Sequence, residues 1–580
     1  MTARAVRRRL LLLSATLLLG LIGAGGYLGW RVWQAQGDLT AAAGAAQDAR
    51  TALAGGDVAG ARAAVGEMTD RAAEVEVDGD PIWRLAEGLP VVGGNLTAVR
   101  VAASGLARLG AEVAGPLIDV SVMLRTSRTA QLSEALRAAA PSLETADRVR
   151  ADVQDAIAKL DRAGLAGELH RGVERLDELL AEIAPATTAV AEAARILPSM
   201  LGADGPRTVL VMIQNTAELR TGGGITGTFL QLDVVDGVVT LGEIRDSAQF
   251  PVTADPLLPV PAAEERSFGD GIGRFVQNAS MTSDFSLTAR LASAWWQSTT
   301  GVVPDLVVSI VPLVWDAVLA VIGPVPLSDG SVGAGEVVEG LLVRPYLVLD
   351  AEEQSARFAD VASAAFTAVF GREDLLPVVL ALREPIAEGR ISMWSAIATE
   401  EDALAGTALA GPRARQEQAG PDAFAVYFND MTGGKVTPYL QVGLGTASAV
   451  CRPDRRPEVV VAVHLANTLM PEDVAALPIS VTGGGIWGAG VGDIALAVTI
   501  VTPSGWFLEA VQVDGTEVAN IAVDDDGRLM VTRRTDIHPD GARDMVFRFV
   551  AGDAGSSRPV LLHTPLLQEP AAAAAVPVCD

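Results

Sequence analysis

The stretch TVLVMIQNTAELRTGGGITGTFLQLDVVDGVVTLGEIRDS, residues 208–247, decides the fold of the centre of this chain. Residues 208–213 form a short apolar run rich in β-branched side chains, which is typical of a buried strand. Two further β-rich runs, 228–235 and 238–244, flank Asp236-Gly237, a dipeptide that favours the tight turn of a hairpin. The stretch therefore predicts a strand, a polar glycine-rich loop and a β-hairpin.

Helical and strand patterns alternate after this hairpin, which predicts an α/β domain over residues 207–450. A strand pair at 423–429 and 439–442 is expected to complete that domain. The pattern then becomes all strand, with short β-rich runs separated by turn signals. This spacing predicts an immunoglobulin-like β-sandwich over 456–565, followed by a loose tail over 566–580.

The chain before the central stretch is helical in pattern. Residues 38–196 are rich in alanine, and their apolar side chains recur at spacings of three and four. Asp80 followed by Pro81 fits a helix N-cap and first turn. This region is predicted to be an antiparallel helical bundle or stalk, so the fold class is multidomain α+β.

The N-terminus predicts a membrane anchor. Residues 10–30 carry no charge, and as a helix they span about 31 Å, close to the thickness of the hydrocarbon core. Four arginines precede this run and only Arg31 closely follows it, which orients 1–9 as a cytoplasmic tail and places the rest outside. The alternative is a cleaved signal peptide, whose apolar region is usually shorter. No later stretch is expected to be long and apolar enough to span again.

The charge of the chain excludes one class of partner. The net charge is −27, and residues 38–580 alone hold 39 basic and 71 acidic residues, a net charge near −32. Nucleic-acid binding requires a basic face, so a nucleic acid is excluded as a partner. The two cysteines, Cys451 and Cys579, either form a disulfide that pins the tail to the body or remain two separate thiols.

Residues 214–224 form the densest polar cluster, and they follow the predicted strand, where ligand sites tend to form. The candidate ligand-binding residues are Asn215, Glu218, Gly222, Gly223 and Gly224, because glycines let a backbone approach a ligand and present N–H groups to an anion. The guanidinium of Arg220 would bind phosphate or carboxylate. Alternatively, the glycines form an ordinary turn and Glu218 pairs with Arg220 or Arg207.

A second polar group follows the hairpin. Arg245 would bind phosphate together with Arg220, Asp246 or Asp284 would hold a divalent cation, and Asn278 would orient the ligand. Asp284 equally fits the N-cap of the helical run that follows it. The four histidines stand apart from any second His or Cys at ligand spacing, and G-x-S-x-G is absent from the sequence, so neither a zinc site nor a Ser-His-Asp triad is indicated.

At these residues the chain resembles a known family. The segment ILPSMLGADGPRTVLVMIQNTAELRTGGGITGTF at 196–229 is similar to the hallmark of the bacterial domain-of-unknown-function 4012 family (DUF4012). Four further segments support the resemblance: DPIWRLAEGLPVVGGN at 80–95, GRISMWSA at 389–396, YFNDMTGGKVTPYL at 427–440 and GRLM at 527–530. The resemblance covers most of the chain beyond Asp38 and implies no activity.

The order of elements in 208–326 also resembles the LytR-CpsA-Psr family, which transfers glycopolymers from polyprenyl-pyrophosphate carriers onto the cell wall. The run 244–247 is similar to that family's Arg-Asp-Thr strand end, and Asn278 stands where its Lys-Ile-Asn loop would fall. The family's Arg-Ser-Asp is replaced here by 225–227, Ile-Thr-Gly, so the metal-binding carboxylate is missing. This likeness implies a central LytR-CpsA-Psr-like domain, with Arg220, Arg245 and Asp246 in catalytic roles and Mg²⁺ at Asp246 if the site is active.

Two functions remain in competition. The first is a membrane-anchored, extracytoplasmic cell-envelope protein that binds or transfers a phosphate-bearing, lipid-linked glycan. Its partners would be a polyprenyl-phosphate-linked glycan and a cell-wall polymer, and as an enzyme it would be a phosphoryl-glycan transferase. The second is a non-catalytic envelope scaffold that recruits protein partners. The missing carboxylate near Gly227 favours the scaffold, whereas the two arginines favour the binding protein.

Overall fold

The computed structural model describes residues 3–75, 80–90, 92–126, 129–328 and 330–576, and for 3–21 and 129–130 it describes the backbone alone. The chain is a mixed α+β protein of more than one domain, as predicted. It separates into two compact units, residues 1–199 and 200–580.

The first unit is helical. Its described helices are α1 Ala3–Ala54, α2 Val58–Glu74, α3 Pro81–Glu87, α4 Gly93–Arg108, α5 Gly115–Thr126, α6 Thr129–Ala158 and α7 Gly167–Met200. Asp80 caps α3 as predicted, because its side chain accepts hydrogen bonds from the N–H groups of Ile82 and Trp83. Residues 10–30, the predicted anchor, are helical and belong to α1.

Residues 93–126 form a long apolar helical stretch beyond the predicted anchor. Among the described residues, 93–126 is the one stretch long and apolar enough to cross a membrane, with a mean hydropathy of 1.2. The expectation that no later stretch would qualify is therefore wrong. Ala98, Leu109 and Val113 of this stretch pack in a core with Val153 and Leu180. Part of the apolar surface of 93–126 is thus buried by packing inside the bundle.

The second unit begins with a five-stranded sheet flanked by helices. The strands are β1 Arg207–Asn215, β2 Ile225–Val235, β3 Val238–Asp246, β4 Leu306–Ile310, the separate hairpin β5 Val325–Leu327 and β6 Gly330–Val332, and β7 Ile391–Ser395. The helices are α8 Ala262–Phe268, α9 Gly271–Arg274, α10 Phe285–Thr300, α11 Val314–Ile322, α12 Arg344–Val348, α13 Ala351–Phe370, α14 Leu376–Ala381, α15 Arg383–Ala387, α16 Ala398–Ala405 and α17 Pro412–Gln418.

The order of this sheet is β3-β2-β1-β4-β7, and β1 pairs parallel only with β4. The predicted hairpin of β2 and β3 is confirmed. Its turn residues Asp236 and Gly237 have φ of 49° and 74°, the left-handed values that a tight primed turn requires. The carboxyl ends of the adjacent strands β1 and β4 therefore lie side by side at the same end of the sheet.

The rest of the second unit consists of two sheets on one core. Its elements are β8 Ala423–Asp430, β9 Leu440–Ala449, β10 Glu458–Asn467, α18 Ile479–Thr482, β11 Ile494–Ser504, β12 Trp506–Val513, β13 Thr516–Glu517, β14 Ile521–Asp525, β15 Arg528–Ile537, β16 Ala542–Ala551, β17 Val560–His563 and β18 Ala571–Ala572. The sheet orders are β13-β12-β16-β10-β9-β18 and β14-β15-β11-β8-β17. Phe428, Val461 and Phe547 represent the core that the two sheets share.

Two predicted boundaries are wrong. Strands β8 and β9, expected to complete an α/β domain ending at 450, pair with β11 and β10 and so belong to the two C-terminal sheets. The tail over 566–580 is not entirely loose, because β18 adds to β9 as a parallel strand. Both errors concern pairing between strands distant in sequence, which local periodicity does not record. The immunoglobulin-like topology stays a prediction.

Candidate functional site

The loop between β1 and β2, residues 216–224, joins the two parts of the second unit. Leu219 is fully buried in the core shared by the two C-terminal sheets. The N–H of Asp430, at the end of β8, donates a hydrogen bond of 2.9 Å to the carbonyl of Leu219. The N–H of Thr221 donates to the side chain of Asn429 at 3.1 Å. The polar loop predicted to face a ligand is therefore docked against the end of β8.

The guanidinium of Arg220 is buried and internally hydrogen-bonded. Its Nη1 donates to the carbonyls of Leu219 and Asp430, at 2.9 and 3.0 Å. Its Nη2 donates to Glu218 Oε1 and Asn278 Oδ1, both at 3.2 Å. The residue is 6% exposed. Arg220 thus uses both terminal nitrogens inside the protein and braces the loop, which was the alternative interpretation of the sequence.

Glu218 lies between two cations. Its Oε1 accepts from Arg220, and its Oε2 lies 2.5 Å from Lys435 Nζ. Burial acts to raise the pKa of Glu218, but the adjacent charges of Lys435 and Arg220 outweigh burial and hold that pKa below its ordinary value. Burial acts to lower the pKa of Lys435, and the attraction of Glu218 raises it instead. Glu218 and Lys435 are therefore both ionised at neutral pH.

Asp430 is the second carboxyl group at this place. Its Oδ1 accepts from the N–H groups of Thr432 and Gly433, at 2.8 and 3.0 Å. Its Oδ2 is buried without a hydrogen-bond partner among the described residues. Burial, together with the nearby charge of Glu218, raises the pKa of Asp430 to about 7. We call Glu218, Arg220, Asp430 and Lys435 the ion cluster.

The glycines serve close packing of the loop. The N–H of Gly222 donates to the carbonyl of Ser280 at 3.3 Å, and that of Gly223 donates to the carbonyl of Arg220 at 2.8 Å. A Cβ added at Gly224 would lie 2.3 Å from the carbonyl oxygen of Asn215. The N–H groups of Gly222 and Gly223, which were predicted to bind an anion, thus donate hydrogen bonds to carbonyl groups of the protein itself. Only a residue without a side chain fits at Gly224 without a backbone shift.

A cavity of about 270 Å³ opens at the carboxyl ends of β1 and β4, under α13. This is the edge of an α/β sheet where ligands commonly bind. Most of its wall is apolar, formed by side chains such as Ile213, Ile225, Leu342, Phe358 and Val361. Gly227 also lines it, and a Cβ added there would have no atom within 4 Å. We call this space the cavity.

Several polar side chains line the cavity, among them Asn215, Asp246, Tyr346 and Lys435. Asn215 Nδ2 donates to the hydroxyl of Tyr346. Lys435 Nζ lies 5.5 Å from the centre of the Tyr346 ring, within the range of a cation–π contact. Burial raises the pKa of Tyr346 to about 12, so its hydroxyl keeps its proton. Lys435 belongs to both the ion cluster and the cavity wall.

Asp246 fits a structural role better than a metal site. Its Oδ1 accepts from the N–H of Ala248 at 2.8 Å, and its Oδ2 accepts from Ser355 Oγ at 2.9 Å. Among the described residues, no group of three or more His, Cys, Asp and Glu side chains is placed to hold a metal ion. Asp284, the other predicted carboxylate, caps α10 by accepting from the N–H of Leu287. The Mg²⁺ site at Asp246 stays a prediction.

The structure separates the predicted site residues into groups. Glu218, Arg220 and Asn278 meet in or beside the ion cluster, whereas Asn215 and Asp246 line the cavity. Arg245 lies on the edge strand β3 and pairs with Glu243 at 2.6 Å, and its predicted role beside Arg220 stays a prediction.

Lys435, Tyr346 and Asp430 were missed as site residues, although Lys435 is one of only two lysines in the chain and follows Gly433-Gly434. That rarity, within the segment 427–440 already singled out, was the available signal. The disulfide predicted between Cys451 and Cys579 involves a residue outside the described part of the chain and stays a prediction.

Residues 204–346 match the model of a family described as "Protein of unknown function (DUF4012)". The match supports the DUF4012 identification over this part of the chain, which runs from β1 to α12 and includes the glycine loop and Tyr346. No curated protein matches the chain.

Proposed function

We propose that this protein is a membrane-anchored, extracytoplasmic protein of the cell envelope that binds a phosphate-bearing, lipid-linked glycan. The observation that carries the proposal is the cavity, with apolar walls and a few converging polar groups. Ligand pockets in proteins have this composition, and their volumes begin at about 300 Å³. The cavity accepts part of an apolar chain, and its polar side chains face the head group.

The charge of the ion cluster favours an anionic head group. The cluster contains two basic side chains, Arg220 and Lys435, and both pair with the same carboxylate, that of Glu218. Burial raises the pKa of Asp430 to about 7, so this carboxyl group carries less negative charge near neutral pH than an ordinary aspartate. The cluster thus has a positive excess beside the cavity, in a chain whose net charge is −27. Lys435 supplies the N–H donors toward a phosphate, because it both lines the cavity and belongs to this cluster.

We propose binding without transfer of the glycan. Phosphoryl-glycan transfer of the LytR-CpsA-Psr kind would need Arg220, Arg245 and a metal-binding carboxylate around one phosphate. Arg220 is engaged by four internal acceptors, and Arg245 pairs with Glu243 on β3. Both oxygens of Asp246 accept hydrogen bonds within the protein. The likeness to the LytR-CpsA-Psr family thus supports the position of a bound ligand. It does not support the transfer reaction of that family.

The membrane part of the proposal rests on the first 31 residues. The four arginines before 10–30 keep the N-terminus in the cytoplasm and place the acidic bulk outside as a single-pass protein. Residues 3–54 form one helix, so the anchor would continue into the bundle without a break. This arrangement brings the second unit to the compartment in which lipid-linked glycans are used.

Lipid bound to the full-length protein tests the proposal. The chain is purified in detergent from a bacterial host, and its lipids are extracted and identified by mass spectrometry. Gly227→Leu places a side chain in the cavity, whereas Gly227→Ala changes the same residue with little added volume. We expect a polyprenyl phosphate or pyrophosphate with the wild type and Gly227→Ala. We expect about tenfold less with Gly227→Leu, because the leucine side chain would occupy space that the lipid needs, and a tenfold loss corresponds to about 1.4 kcal/mol of binding free energy.

The same experiment separates the proposal from a scaffold. An empty wild-type protein that also fails to bind added polyprenyl pyrophosphate would overturn it. The scaffold is favoured by one observation, an exposed apolar loop between β10 and β11 that carries Ile479, Ile486 and Trp487. Exposed apolar patches of this kind mark protein interaction sites. Equal lipid retention by Gly227→Leu and the wild type would place the lipid outside the cavity.

A further inference from the structure

The short helix α3 and the turn after it expose a row of large apolar side chains. Leu85 is 83% exposed, Leu89 is 52%, Val92 is 44% and Ile82 is 40%. Ile82 and Leu85 are three residues apart and so lie on the same side of the helix. Trp83 of the same helix is fully buried. The helix therefore has an inner face packed on the bundle and an apolar outer face, and we call Ile82, Leu85, Leu89 and Val92 the α3 patch.

Two contacts fix the position of α3 along the axis of α1. The hydroxyl of Tyr27 donates a hydrogen bond of 2.7 Å to Oδ2 of Asp80, the residue that caps α3. Leu28 and Ala35 of α1 pack in one cluster with Trp83 of α3. Tyr27 precedes residue 30, where the predicted span ends, by about 4.5 Å of helix. The α3 patch is therefore held at the level where α1 would leave the membrane.

The surroundings of the α3 patch suit a membrane interface. Trp30 and Trp33 of α1 are 54% and 72% exposed at the same level, and tryptophan is enriched at the boundary between lipid and water. The segment 80–95 holds only three charged residues, in a chain with 71 acidic ones. Of these, Asp80 accepts from Tyr27, and Glu87 pairs with Arg100 at 2.7 Å. The general repulsion between an acidic protein and anionic lipid is thus weakest here.

We propose that the α3 patch inserts into the outer boundary of the bilayer that holds residues 10–30. The inference rests on the membrane anchorage in the proposed function and adds a second point of attachment. One helix alone leaves the bundle free to tilt and rotate about its anchor. An apolar helix face buried in the headgroup region, together with α1, sets the orientation of the bundle on the membrane.

Photolabelling from the lipid tests this attachment. The full chain is reconstituted in nanodiscs of phosphatidylcholine whose acyl chains carry a diazirine, irradiated and digested, and the adducts are located by mass spectrometry. We expect adducts within 10–30 and within 82–92. Leu53 is the matched control, because it is also an exposed apolar residue but lies about 34 Å further along α1 than residue 30.

A charged variant and a conservative one sharpen the result. We expect Leu85→Glu combined with Leu89→Glu to lower the adduct yield in 82–92 about tenfold, because carboxylates leave the headgroup boundary. We expect Leu85→Ile to retain it. Both side chains are exposed, so thermal unfolding of the variants should match the wild type. Adducts in 10–30 but none in 82–92 would overturn the inference alone, whereas none in either region would overturn the anchorage itself.

Discussion

The ion cluster and the cavity lie side by side in the second unit, share Lys435, and are built in opposite ways. In the cluster, Arg220 donates hydrogen bonds to Glu218 and to nearby backbone carbonyls, and Glu218 also accepts from Lys435. These charged groups therefore bind one another inside the protein. In the cavity, apolar walls enclose space that no side chain of the protein fills. A dense group of polar residues in a sequence can therefore be a brace, while the ligand site beside it is mostly apolar.

Removing Arg220 should give the largest effect. In the Arg220→Ala variant, Glu218, Asn278 and two carbonyls lose their partner in a buried place, and breaking such a network costs about 3–5 kcal/mol. Arg245→Ala is the control, since a single half-exposed pair with Glu243 contributes at most about 1 kcal/mol. Urea unfolding of the full chain measures both. If Arg220→Ala instead unfolds like Arg245→Ala but loses bound lipid, Arg220 is a ligand clamp, as the sequence first suggested.

The titration of Asp430 should give the next effect. Its pKa rises from an ordinary value of 3.8 to about 7 on folding, so between these values the folded protein holds a proton that the unfolded chain has released. The free energy of unfolding should therefore fall as pH rises from about 4 to about 7. Asp430→Asn keeps an acceptor for Thr432 and Gly433 and should flatten this slope.

A second buried carboxyl group serves as the control for this slope. Burial also raises the pKa of Glu264 to about 7, so it contributes to the slope with the same sign from outside the ion cluster. Glu264→Gln should remove its own share and leave that of Asp430. Thermal unfolding at pH 4, 5.5 and 7 measures both variants. A slope unchanged by Asp430→Asn would mean that Asp430 is ionised throughout and that the cluster has no positive excess.

The glycines of the two regions should respond differently to the same change. Gly224→Ala places a Cβ 2.3 Å from the carbonyl of Asn215 and should cost about 1–3 kcal/mol, because the backbone must shift. Gly227→Ala meets no atom within 4 Å and should change stability by less than about 1 kcal/mol. Urea unfolding compares the two. Equal losses of stability in the two variants would show that the loop can relax and that its packing does not require glycine at this position.

Local signals in the sequence were sufficient for part of this structure. The Asp236-Gly237 hairpin and the caps at Asp80 and Asp284 each depend on a few neighbouring residues, and each was predicted correctly or as an alternative. Lys435 could not be assigned in this way, since it meets Glu218 across 217 positions of the chain. The same limit explains why β8 was given to the wrong sheet. Pairing across a long loop depends on the whole fold, and no local period reports it.

Asp246 should show the smallest effect, and it tests whether the cavity works without a metal. Asp246→Asn removes a charge but keeps an acceptor for Ala248, and its amide can donate to the hydroxyl of Ser355. We expect stability within about 0.5 kcal/mol of the wild type, as for a conservative change in a hydrogen-bonded residue, and unchanged retention of bound lipid. Adding Mg²⁺ or EDTA should alter neither protein. A Mg²⁺-dependent rise in the unfolding temperature of the wild type that Asp246→Asn abolishes would restore Asp246 as a metal ligand, and with it the transferase hypothesis.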